Sequence, residues 1–248
     1  MKKLILLLLF SAFLFANQVV KLVGDKSYPP YSYSENGVAK GIYVDIIKKA
    51  FSKVDGYDVK FKMIAFKKAK VMVKKGKAIG FFPPYYSKSR AQWTKFSEPI
   101  LEENTIIFAK KSMLKGKKNF PKDFYGKTLC LNRGFSQESM GGAELKKAIK
   151  NKKIKLIEAD NNKACLARIQ RKLADFYIND RFIDISKFPM IKRGEKVKSN
   201  FGYIGFTLKT KKYPYMDDLQ TKLNKAIKMM KKNHEIDKIV KIYIKVEM

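Results

Sequence analysis

Twice along this chain, short apolar runs of strand length alternate with stretches whose apolar residues recur at helical spacing. No other feature limits the possible folds as tightly. In the first series, residues 19–23, 59–64, 79–82 and 105–109 read as strands, with one helix that has Asp45 in its first turn and runs to Phe51 and another over 66–75. In the second, strands at 128–131, 154–158 and 175–178 are separated by helical patterns at 143–149 and 163–173. A basic, glycine-containing connector at 110–118 divides the two series, and an apolar run at 203–208 precedes two amphipathic helices at 217–232 and 234–244. Helices between strands cover the faces of largely parallel sheets, so the expected class is α/β, built twice. In such sheets ligands lie beyond the carboxyl ends of the strands. Tyr28, Arg90, Ser136 and Asp180 stand just past strand ends.

Arg90 has the best-defined setting of these. Phe82, Pro83 and Pro84 must run extended, because proline fixes its own φ and pushes its predecessor out of the helical region. The chain then turns through Ser87 to Ser89, which places Arg90 near a helix start. A guanidinium grips a carboxylate through two parallel hydrogen bonds that lysine cannot reproduce. The distinction carries information here, since arginine occurs only at 90, 133, 168, 171, 181 and 193 in a chain with 54 lysines and arginines together.

Residues 1–16 combine two lysines, an apolar run from Leu4 to Phe15 and a small residue at Ala16. The run is short of the roughly 20 residues a spanning helix needs and has the order of a secretory signal, so removal on export is expected. Removing Lys2 and Lys3 takes the formal charge from +32 to +30. Charge of that size can signal nucleic acid, but it is spread along the whole chain and export leads away from nucleic acid. Lysine-rich solvated faces are expected, with a salt-dependent bias toward anions. Cys130 and Cys165 suit either one disulfide or two buried thiols. His234, the single histidine, falls in a charged helical segment, so His-dependent nucleophilic catalysis and ordinary zinc sites are disfavoured. No cofactor is expected.

Several segments in register resemble the extracellular solute-binding proteins of family 3, the polar amino acid receptors of bacterial ABC importers. They are Gly24-Asp-Lys-Ser-Tyr-Pro-Pro-Tyr, Gly41-Ile-Tyr-Val-Asp45, Ser87-Lys-Ser-Arg90, Phe96-Ser-Glu-Pro99, Tyr125 to Gly134, and Ala174 to Asp180. The resemblance implies a two-lobed periplasmic-binding-protein type II fold, two α/β lobes joined by two hinge strands. It divides the chain into a signal peptide (1–16), the first part of lobe 1 (17–108), lobe 2 (109–202) and a return strand with C-terminal helices of lobe 1 (203–248). It further implies a periplasmic monomer that is not an enzyme and hands a solute, an amino acid, to an inner-membrane ABC permease.

Site residues follow from the same resemblance. Arg90 matches the grip on an α-carboxylate, Asp180 the acceptor of an α-ammonium, and Ser136 a hydroxyl assisting from the other lobe. Tyr28 and Phe66 match aromatic positions that cover the ligand side chain. Pro83, Tyr85 and Ala78 depart from the family pattern, since small or hydroxyl residues are usual at the first two and Asp at the third. Tyr85 joins Tyr28, Tyr31, Phe66 and Tyr86 in an aromatic pocket suited to apolar or cationic groups. Two rivals remain: a dehydratase-like cleft enzyme using Asp180, Glu138 or a lysine for proton transfer, and a sensory module.

Overall fold

The computed structural model describes residues 17–243, so the leader expected over 1–16 lies outside the described residues. The chain runs β1 (Gln18–Asp25), β2 (Ser27–Tyr28), β3 (Ser32–Glu35), β4 (Val38–Lys40), α1 (Ile42–Phe51), β5 (Tyr57–Ile64), α2 (Phe66–Lys74) and β6 (Gly80–Phe82). It continues through α3 (Lys88–Ala91), β7 (Thr94–Phe96), β8 (Leu101–Lys110), α4 (Lys111–Leu114), β9 (Thr128–Asn132), α5 (Gln137–Lys150), β10 (Lys155–Ala159) and α6 (Asn162–Gln170). It closes with β11 (Phe176–Asp180), β12 (Ile191–Gly202), β13 (Gly205–Thr207), α7 (Met216–Lys232) and α8 (Glu235–Tyr243).

Two five-stranded sheets form the two lobes, in the orders β5-β1-β6-β13-β7 and β10-β9-β11-β8-β12. The parallel pairs β1–β5, β1–β6, β9–β10 and β9–β11 are those that intervening helices must produce. Burial on both faces explains the apolar runs in β1, β6, β9 and β11, whereas β5, at a sheet edge, alternates along its length. On β1, Val20 and Leu22 face a core with α1 and α7, while Val23 faces Phe66, Ala69 and Val73 of α2. On the second sheet, Leu129, Ile178 and Ile107 pack toward α5, and Cys130, Tyr177 and Phe108 toward α6. Truncating Leu22, Leu129, Ile178 or Phe108, all fully buried, to alanine costs about 2–5 kcal/mol.

Two long strands carry the chain between the sheets. β8 and β12 are antiparallel, with Leu101 opposite Gly202 and Asn104 opposite Ser199 in the stretch between lobes. Farther along β8, Thr105 pairs with Asp180 and Ala109 with Phe176, which places that half in the second sheet. The apolar run at 203–208 enters the first sheet as β13. The basic stretch at 110–118 contains α4 at the end of β8. The segment read as an extended aromatic loop, 28–33, belongs to a small β2-β3-β4 sheet. Cys130 and Cys165 form a disulfide that ties β9 to α6 across 35 residues of sequence.

Candidate functional site

β6 ends at Phe82, and Pro83 and Pro84 lead to Tyr85, which bridges to Gly202 of β12. Ser87 then caps α3, its Oγ accepting the Arg90 N–H at 3.2 Å. The cap and the two prolines fix where Arg90 leaves the backbone. Its side chain is buried, its Nη1 donates to the Tyr85 carbonyl, and its Cζ lies 5.9 Å from the centre of the Phe66 ring. Among the described residues no carboxylate pairs with it. Glu98, one of the partners it could have taken on a surface, is held by Lys228 at 3.2 Å. Burial lowers the guanidinium to about 10, so Arg90 remains a cation at neutral pH.

From the second lobe the loop after β9 presents Phe135 and Ser136. Ser136 caps α5, accepting the Ser139 N–H at 3.2 Å. The Phe135 ring meets Tyr28 edge-on at 5.8 Å and Phe66 at 5.5 Å, so an aromatic plug from one lobe sits in an aromatic socket of the other. Further bonds join the lobes here: Ser139 Oγ donates to the Tyr86 carbonyl and Lys70 Nζ to the Gly134 carbonyl.

Five of the six expected site residues, Tyr28, Phe66, Tyr85, Arg90 and Ser136, line one cavity between the lobes, together with Phe135 and Met140. Its volume is about 20 Å³, which is room for one water and not for an amino acid. The space is occupied by Tyr85 and Phe135. Arg90 and Ser136 also border an open groove of about 670 Å³ with Lys70, Lys74, Trp93 and Lys146 on its rim.

Asp180 does not line that cavity. It ends β11, fully buried, bonded to Tyr31, whose ring stacks on Tyr28 at 5.0 Å. Its Oδ1 accepts from the Tyr31 hydroxyl at 2.5 Å and from the Phe182 N–H at 2.8 Å, whereas its Oδ2 has no partner. The bond to Tyr31 spans the two lobes. Burial raises this carboxyl to about 6, against the lowering effect of its hydrogen bonds.

Sequence reasoning missed the acid at the centre of the cluster. Glu103, on the hinge segment of β8, accepts hydroxyl hydrogen bonds from Tyr28 and Tyr85 at 2.6 Å each on Oε2 and from Tyr43 on Oε1. It is almost completely buried. Burial first, and then the negative charge of Asp180, raise it to about 8 against the three tyrosine hydrogen bonds. Burial therefore favours the neutral carboxyl in this closed form. A signal was present: 103 shares the parity of Thr105, Ile107 and Ala109, so its side chain points to the buried face. Glycine at 202 makes the arrangement possible, because a Cβ there would lie 1.8 Å from Tyr43 Oη and 3.0 Å from Glu103 Oε1.

Two α/β lobes joined by two strands, with a cleft at the hinge, make a two-lobed binding fold. The sequence matches the profile of the bacterial extracellular solute-binding proteins, family 3, over residues 20–246, and the chain belongs to that family. Its fold is the type II periplasmic-binding-protein fold. An ancestral arginine-binding protein bound to arginine superposes with a TM-score of 0.75 at 22% identity, covering 91% of this chain and 98% of that one. The arginine-, lysine-, histidine-binding protein ArtJ from the thermophilic bacterium Geobacillus stearothermophilus gives 0.73 at 19%, covering 92% and 95%. A histidine kinase sensor domain with similarity to periplasmic binding proteins gives 0.77 at 16%, covering 92% and 97%. Curated protein sequences yield no match. Among the described residues no helix is long and apolar enough to cross a membrane, and no cluster of acids, cysteines or histidine could hold a metal ion.

Proposed function

We propose that this chain is an exported receptor that captures an amino acid between its lobes and passes it to an ABC-type permease, without chemistry on the solute. The observation that carries this reading is a pair of incomplete charges. Among the described residues, Arg90 is buried in one lobe with no anion, and Asp180 is buried in the other with an unpartnered Oδ2. A buried charge lacking its counterion costs several kcal/mol, and a zwitterion supplies both missing partners. Each lobe alone holds half of that complement, so ligand binding and closure are one event. Admission requires the lobes to part at Leu101–Asn104 and Ser199–Gly202, withdrawing Phe135 from its socket and Tyr31 from Asp180.

Thermal unfolding with a panel of amino acids tests this reading. A true ligand at a hundredfold excess over Kd adds about 2.7 kcal/mol to stability. The shift should vanish in Arg90→Ala and return only slightly in Arg90→Lys. A ligand shift that Arg90→Ala leaves intact overturns the assignment of the carboxylate to Arg90.

One observation favours a second reading. A dehydratase-like enzyme needs a proton-transfer group at the cleft, and Glu103, raised by burial, connects to the cavity through the hydroxyls of Tyr28 and Tyr85. Turnover of a small carboxylic acid that Glu103→Gln abolishes would establish that reading in place of transport.

A further inference from the structure

Lysine is spread over the whole molecule, but its pairing is not. Among the described residues every side-chain ion pair lies in the first lobe or at the cleft side of the second. The far end of the second sheet has none. There β9, β10, β11 and β12 begin and β8 ends: Lys155 lies opposite Thr128, Phe176 opposite both Leu129 and Ala109, and Ile191 opposite Lys110. This register gathers the segments 110–127, 150–155, 171–175 and 190–192, which hold fourteen lysines and arginines and two acids. Both acids are spent on the backbone. Asp123 Oδ2 accepts the N–H groups of Lys118 and Asn119 at 2.9 Å each, and Asp175 Oδ2 accepts that of Thr128 at 2.7 Å.

The last turns of α5 and α6 point to this end, and their dipoles favour a cation or two each. That leaves the lysines of 110–127 without a structural reason. Lys152 and Lys172, just past those helices, have φ of 57° and 60°, a left-handed conformation in which glycine is the unstrained choice. Lysine is kept there against backbone strain and adds to charge that repels itself. Three apolar side chains protrude among the cations: Tyr125, Leu173 and Met190 are 38%, 61% and 56% exposed.

We propose that this pole docks on an anionic phospholipid surface, its lysines against the headgroups and Tyr125, Leu173 and Met190 at the headgroup boundary. Thirteen of the fourteen cations are lysine, a point charge on a flexible stem that suits a diffuse field, not the planar fork that selects one phosphate. A polybasic patch supplies attraction and inserted apolar groups supply the second signal that lasting surface binding needs. A nucleic acid would satisfy the lysines but offers nothing to the protruding Leu173 and Met190. The cleft lies past the opposite ends of β9 and β11, so contact at this pole leaves it uncovered. The inference stands apart from the identity of the solute.

Co-sedimentation with vesicles of phosphatidylcholine alone, or of half phosphatidylglycerol, tests the proposal. The chain used begins at Asn17, which keeps both lobes whole and removes the apolar run at 4–15 as a source of insertion. It should partition onto the phosphatidylglycerol vesicles only, more weakly as salt rises. Replacing Lys118, Lys122, Lys153 and Lys172 by glutamine should cut the partition coefficient at least thirtyfold. Replacing four exposed lysines of the first lobe, Lys49, Lys62, Lys211 and Lys225, should cut it less than threefold. The pair Leu173→Ser and Met190→Ser should weaken partition about fivefold with an unchanged salt slope, a readout that needs no lysine variant to fold. Equal losses in the two quadruple variants would overturn the proposal, because binding would then follow net charge alone. So would absence of partition, or an affinity for heparin that matches the vesicles and ignores the serine pair. None of these results touches solute capture, which the ligand melt tests separately.

Discussion

Replacing Glu103 by glutamine should change how stability depends on pH, in a direction set by burial. Outside the fold the carboxyl titrates near 4.5, and inside it near 8. Between those values the native state holds a proton that the unfolded state has released, so stability falls as pH rises through this window and levels off above it. At about 1.4 kcal/mol per pH unit for one proton, the ceiling of the loss is about 5 kcal/mol by pH 8. Asp180, raised from 3.8 to about 6, and Asp25, raised from 3.8 to about 7 by burial, add losses of the same sign at lower pH. Glu103→Gln removes only its own share. It also weakens three tyrosine hydrogen bonds by exchanging a carboxyl for an amide, a cost of about 1 kcal/mol each at most. Urea unfolding at pH 5, 6, 7 and 8 and constant ionic strength measures the difference. The variant should be the less stable protein at pH 5 and the more stable at pH 8, with an unchanged m-value. Wild-type and variant curves that run parallel from pH 5 to 8 would refute the burial argument.

Two further outcomes follow from the same geometry. Replacing Cys130 and Cys165 by serine opens a closed loop of 35 residues and should lower the urea unfolding free energy by about 3–4 kcal/mol, as should reduction of the wild type. Gly202→Ala drives a methyl into the Tyr43 hydroxyl and should cost about 1–3 kcal/mol. The cost should be smaller in a Tyr43→Phe background, which a double-mutant cycle of urea midpoints would show.

The fold was legible where helices and strands alternate, because parallel strands covered on both faces carry short apolar runs, Leu22-Val23 in β1, Phe81-Phe82 in β6, Leu129 to Leu131 in β9 and Phe176 to Ile178 in β11. β12 was not legible. Ile191 to Gly202 is rich in lysine and carries no apolar period, since this edge strand exposes much of its length and takes its structure from pairing with β8. The β2-β3-β4 sheet was equally silent, because strands of two to four residues are too short to show alternation. At the site, the position of Arg90 could be read locally, since two prolines and a serine cap dictate it. The tyrosine cluster around Glu103 could not be read, because it is assembled from β2, α1 and the loop after β6 around an acid on β8. The role of Phe135 as an interlobe plug depends on Phe66 and Tyr28 from the other lobe, so nothing local to it reveals that role.

The central claim is that one ligand joins a cation in the first lobe to an acid in the second. Calorimetric titration of Arg90→Ala and Asp180→Asn, each verified as folded, with whichever amino acid binds the wild type tests it most directly. The account predicts that each single replacement weakens binding at least a hundredfold and that the double replacement is scarcely worse. Wild-type affinity retained in either single variant would contradict it.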